Sequence, residues 1–252
     1  MPAFQRPTSV PAARPTAAVF RLARAGRGAR LALTAVVVAG AVAAGAASPA
    51  VAQELTRLYA PKPPAGSAYV RVVALARPGA AIGIGTAAPA PVAQGDTATI
   101  YRVVKGGAPL AVTVGGASAP GAIVPAADAF STVVVPPSGP AVVITDPTEG
   151  RNDLKAQLRF YNLVPGCAGA VAVADGGPTV FDAVATNDTR QRAINPIEAK
   201  LSARCGEAAA PPLTLPPLKA GDHYSLFLVP GAAGPVLTGQ RDETEPYRGP
   251  AN

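Results

Sequence analysis

Residues 68–75 read AYVRVVAL, with Tyr69, Arg71 and Val73 on one side of the alternation and Val70, Val72 and Ala74 on the other. Eight residues of period two, rich in β-branched and aromatic side chains, predict a strand. The stretch has an echo at 156–163, AQLRFYNL, which sets Arg159 against Arg71 and Leu163 against Leu75. Residues 128–135 (DAFSTVVV) and 222–229 (DHYSLFLV) share an Asp-x-aromatic-Ser start before an apolar run, and Gly139-Pro140 and Gly234-Pro235 follow them. The offsets are 88, 94 and 95, so the order is kept and only loop lengths drift. The pattern reads as one β unit used twice: an all-β chain of two tandem small antiparallel sandwich or barrel domains related by an internal repeat.

The segment before the repeat has a different character. Residues 1–52 hold six of the 22 Lys and Arg and none of the 15 Asp and Glu, so the formal +7 falls to +1 for the remainder. A basic start, the uncharged run Leu31–Ala47 and the small residues Ala50-Val51-Ala52 follow the order of a secretory signal peptide cleaved after Ala52. The other reading is an uncleaved membrane anchor. A 17-residue run rich in Ala and Gly is short for a span, which favours cleavage and export to the periplasm. The high pI belongs to this segment and gives no reason to expect nucleic acid, whose binding needs clustered cations.

The remaining 200 residues suffice for two small cores. Residues 53–148 form the expected first β domain, 149–240 the second, and 241–252 a flexible tail. Strands are predicted at 68–75, 80–85, 97–104, 110–114, 121–124, 130–135 and 141–145, then at 155–163, 168–174, 179–184, 190–195, 197–204, 213–218, 223–229 and 236–238. Gly106-Gly107 and Gly115-Gly116 read as hairpin turns. Residues 206–217, rich in Pro and Ala, read as an insert without counterpart in the first unit.

Chemistry-bearing residues are few. In an exported chain Cys167 and Cys205 predict a disulfide closing a 38-residue loop. Two Cys and one His make too few ligands for a metal site, and no Gly-rich phosphate loop occurs, so no cofactor is expected. His223 reads as a plain strand residue. Neighbouring Asp222 points to the opposite face, no G-x-S-x-G elbow exists, and the echo places Ala129 at the matching position. Arg71 and Arg159 read as outward arginines, solvated or paired with an acid, and as candidates for partner binding. Asp128 and Asp222 read as turn-initiating. The leading segment Leu58–Gly66, with Pro61, Pro63 and Pro64, adds Tyr59 and Lys62 as partner-binding candidates, since folding alone does not explain its composition.

Several motifs together resemble a known family. Leu58-Tyr59-x-Pro61 runs into Pro64-x-Gly66-Ser67-x-Tyr69-Val70-Arg71-Val72; the second unit carries Arg192-x-Ile194-Asn195-Pro196-Ile197 and Ala220-Gly221-Asp222-His223-Tyr224. Across most of 54–230 this is similar to AlgF, the periplasmic accessory protein of alginate O-acetylation, and its relatives in bacterial cellulose acetylation. The resemblance implies a non-enzymatic adaptor. Its partners would be a membrane-bound O-acyltransferase and SGNH-like periplasmic proteins that acetylate polymer hydroxyls, with the polysaccharide itself as a further contact. The cysteine pair and the Pro/Ala-rich insert depart from the alginate proteins, which leaves alginate, cellulose or another glycan open. The rival reading is a secreted carbohydrate-binding or structural envelope β-protein, although the absence of Trp and 5% aromatic content speak against glycan binding.

Overall fold

The computed structural model describes residues 62–249, and no helix occurs among them. The expected signal segment, its cleavage site and Tyr59 lie outside the described residues. In chain order the strands are β1 (Ser67–Ala74), β2 (Ala81–Ile84), β3 (Ala90–Pro91), β4 (Arg102–Lys105), β5 (Val112–Val114), β6 (Ala117–Ser118), β7 (Phe130–Val135) and β8 (Val142–Asp146). The second half continues with β9 (Ala156–Asn162), β10 (Gly169–Val173), β11 (Thr179–Val184), β12 (Asp188–Ile194), β13 (Lys200–Cys205), β14 (Ala208–Thr214), β15 (His223–Gly231) and β16 (Gly234–Arg241).

These strands make four four-stranded sheets, ordered β4-β1-β7-β8 and β3-β2-β5-β6 in the first half and β12-β9-β15-β16 and β11-β10-β13-β14 in the second. Adding eight to each strand number of the first half reproduces the second. The chain is therefore two tandem β-sandwiches of one topology, as the repeat predicts. Pairing is antiparallel except between β1 and β7 and between β9 and β15, which run parallel. These two pairs are the echoing stretches themselves, so each half builds its central ladder from the two segments that carry the repeat.

Alternation explains the layers. Ala68, Val70 and Val72 of β1 join Val133 and Val135 of β7 in a core shared with Ile82, Ile84, Val112 and Val114 of the facing sheet. Ala156, Leu158 and Phe160 of β9 do the same with Leu226 and Leu228 of β15, against Val171, Phe181 and Leu201. The opposite faces of β1 and β9 are buried too. Val73, Val134 and Ile144 pack with Tyr161, Leu163 and Phe227 in a third apolar cluster that joins the two halves. Sheet β4-β1-β7-β8 thus lies against β12-β9-β15-β16, and β9 is buried at all seven of its residues.

Several local expectations need correction. The supposed insert at 206–217 contains β14, which pairs with β13 and is the counterpart of β6. It occupies a sheet edge, where Pro211 and Pro212 interrupt no central ladder. Residues 121–124 form no strand; Ile123 only accepts a bond from the Leu110 N–H at 2.8 Å. Gly115-Gly116 turns the β5–β6 hairpin, but Gly106-Gly107 carries the chain from one sheet to the other. Gly106 donates to Gly66 O at 2.9 Å, and a Cβ there would lie 2.4 Å from Ala127 Cα. The expected tail is corrected over 241–245. Tyr101 N–H donates to Glu243 O and Glu245 N–H to Tyr101 O, both at 2.8 Å, so residues 243–245 are strapped across the first half.

Candidate functional site

The face between the halves holds a buried polar cluster. Arg71 is on the far side of β1 from its sandwich core, as the alternation requires, yet it has no exposed surface because the second half covers it. Of the two expectations for this arginine, solvated or paired with an acid, the structure shows the pairing, with an acid of the other half. Its Nε donates to Thr132 Oγ1 at 2.9 Å, Nη1 to Asp242 Oδ1 at 2.7 Å, and Nη2 to Tyr161 OH and Ser225 Oγ, each at 2.8 Å. Its guanidinium carbon lies 4.5 Å from the Tyr101 ring centre and 5.1 Å from those of Tyr161 and Phe227. A charge so deeply placed persists only when paired and hydrogen-bonded. Burial works to lower its pKa, but the surrounding phenols and carboxylates outweigh it and hold the pKa above the ordinary arginine value.

Arg159, 7% exposed, is the second cation. It donates from Nη2 to Pro147 O at 2.9 Å and from Nη1 to Asp242 Oδ2 and Tyr101 OH, each at 3.3 Å. Asp242 also accepts from Ser225 Oγ at 2.6 Å. Asp146 accepts from Tyr101 OH and Tyr161 OH at 2.7 Å and from Thr132 at 3.0 Å. Two arginines and two aspartates leave the cluster formally neutral. Burial first of all pushes both phenols up, Tyr161 to about 12.

The cluster obeys the internal repeat. Arg71 sits opposite Thr132, and Arg159 opposite Ser225. Asp146 stands opposite Phe130, while the Asp242 N–H bonds to His223 O at 2.9 Å, so the two aspartates are also counterparts. The ladders correct the sequence alignment by one residue. Thr132, rather than Ser131, matches Ser225, and Phe130, rather than Ala129, matches His223. The sequence reading missed Asp146, Asp242, Tyr101, Thr132, Tyr161 and Ser225. The available signal was an acid closing the last strand of each unit, VVITD and VLTGQRD.

Beside the cluster opens a cleft of about 460 Å³ lined from both halves, by Tyr101 and Phe130 on one side and by Gln157, Arg159, His223 and Asp242 on the other. Arg151 and Gln191 stand around it. His223 is half-buried; burial, seconded by Arg159 and Arg151 and opposed by Asp242, lowers its pKa. Asp222 instead pairs with Arg241 and accepts from the Lys219 N–H at 2.7 Å, which hold its carboxyl below the usual range. Asp128 accepts from the Gly66 N–H at 2.7 Å. Both are turn residues, outside the cluster. Lys62 is exposed. The structure brings together Arg71, Arg159 and, at the rim, His223.

The predicted disulfide is present. Cys167, just ahead of β10, joins Cys205 at the end of β13, with Cα atoms 5.5 Å apart.

Fold and site define a tandem β-sandwich protein whose halves are joined by a buried ionic cluster. The chain belongs to the AlgF family, whose model, described as "Alginate O-acetyl transferase AlgF", matches residues 39–224. No curated protein matches it. Among solved structures it is similar to the C-terminal domain of AlgF from P. aeruginosa, at 24% identity over 35% of this chain and 98% of that one, with a TM-score of 0.32.

Proposed function

We propose that this chain is a periplasmic, non-enzymatic adaptor for O-acetylation of an exopolysaccharide, alginate or cellulose. It links a membrane-bound O-acyltransferase to SGNH-like periplasmic acetylation proteins. The observation that carries the reading is membership of the AlgF family. The disulfide supports an oxidising compartment. The cluster supports a non-catalytic role. Ser225, the serine nearest His223 in sequence, gives its proton to Asp242 and accepts from Arg71, so its hydroxyl is committed to joining the halves. The change of sandwich between β8 and β9 supports domains at 53–148 and 149–240.

The test is a gene deletion, with ester-linked acetate on the secreted polysaccharide measured at known polymer yield. Loss of acetate at normal yield is expected; unchanged acetate overturns the reading. The leading segment Tyr59–Gly66, in which Lys62 is exposed, is the proposed partner surface. There Lys62→Glu should weaken capture of the acetylation proteins while leaving Tm unchanged.

A further inference from the structure

Two residues that line the cleft each carry a hydrogen-bonding atom that the chain leaves unused. Arg159 Nε, a donor, and Gln157 Oε1, an acceptor, are both buried without a partner among the described residues. Both residues line the cleft, are 7% and 5% exposed, and lie two apart on one face of β9. Gln157 Nε2 donates to Gly150 O at 3.1 Å, which orients the amide and leaves its oxygen as the unused end. Buried polar atoms without partners are costly, so an occupant that pairs with both is favoured.

The chemistry of that occupant follows from what is already spent. The nearby charges are paired within the chain, Arg159 with Asp242 and Arg151 with Asp153, so the ligand need carry no charge. It must offer an acceptor and a donor together. A sugar hydroxyl and an amide both do, but a sugar ring is gripped on an open aromatic face, and the aromatics here are occupied. Phe130 stacks on Tyr69 at 4.4 Å and meets Tyr101 edge-on at 5.1 Å, while Tyr101 carries Arg71 over its ring. The volume of about 460 Å³ is that of a ligand pocket.

We propose that the cleft binds the backbone amide of an extended peptide segment of a partner protein. The peptide carbonyl accepts from Arg159 Nε, and the peptide N–H donates to Gln157 Oε1. Because both halves line the cleft, the site exists only while they are docked. The proposal deepens the adaptor reading and rests on it for the nature of the partner.

The test is a titration of the 15N-labelled full chain with N-acetyl-Ala-Gly-Ala-N-methylamide and, separately, with cellobiose. The Arg159 Nε–H and Gln157 side-chain amide resonances should shift saturably with the peptide and not with cellobiose. Gln157→Leu should weaken the peptide response at least tenfold. No saturable shift with peptide, an equal response to cellobiose, or unchanged affinity in the variant overturns the site. If the variant does not fold, the wild-type Arg159 signal decides alone. Failure here, with acetate still dependent on the gene, removes this site and leaves the adaptor role standing.

Discussion

Arg71 Nη1 stands 2.7 Å from Asp242 Oδ1, across 171 residues of chain. The pair ties the first strand of one half to the end of the last strand of the other. Asp242→Ala leaves Arg71 buried without its main counter-charge and should cost about 3–5 kcal/mol. Arg71→Met combined with Asp242→Leu should cost less than the two single changes added together, by ~0.5–3 kcal/mol. Urea unfolding of the four proteins measures this. Strict additivity would mean that the contact does not couple the halves.

Ser131 and Ser225 echo each other in sequence but lie on opposite sides of their ladders. Ser131 Oγ is buried without a partner, whereas Ser225 Oγ bonds to both Arg71 and Asp242. Ser131→Ala should therefore be neutral or stabilising by up to ~1 kcal/mol, and Ser225→Ala should destabilise by ~1.5–3 kcal/mol. Thermal melts of the two variants give the comparison, and equal losses would contradict the register correction.

The phenols give a spectroscopic test at alkaline pH. Burial pushes Tyr161 up to about 12 and Tyr101 upward as well. Their folded pKa values exceed the unfolded value of ~10, so the native state holds protons that the unfolded state releases. Stability is intact below about pH 10 and is lost as pH rises through the folded pKa values. Burial also raises Tyr224, so absorbance at 295 nm should show three of the six tyrosines ionising late, and Tyr161→Phe should reduce that number by one.

His223 acts at the other end of the scale. Burial lowers its pKa, so below ~6.5 the unfolded state binds a proton that the native state does not. Its contribution is complete above the unfolded pKa and declines as pH falls towards the folded one. Tm measured from pH 7.5 to 5 should fall less steeply in His223→Gln than in the parent. Parallel curves would show that the imidazole is not desolvated.

Closing a loop of 38 residues, the Cys167–Cys205 bond should stabilise the chain by about 4 kcal/mol on chain-entropy grounds. Replacing both cysteines by alanine should lower urea stability by that order. The second half should be affected first, since both cysteines lie in it.

Much of the architecture is written locally. Alternation of period two marks β1, its echo marks β9, and apolar runs after a shared start mark β7 and β15. The repeat is visible as two pairs of similar segments, and a lone pair of cysteines behind a signal-like segment is enough to expect their bridge. None of these features says what covers a face. The far sides of β1 and β9 bear Arg71 and Arg159, and a charged residue on an alternating strand reads as solvated or paired with a nearby acid. Only the docking of one sandwich on the other buries them, because Asp146, Asp242, Tyr161 and Ser225 supply the opposite charges and hydroxyls that make burial tolerable. Those partners lie up to 171 residues from Arg71, beyond the reach of any spacing rule. A one-residue change in loop length likewise shifts which serine faces the cluster, and only the hydrogen-bonded register decides it. Strand and turn are settled by neighbours along the chain; the buried cluster and the cleft beside it are settled by neighbours in space.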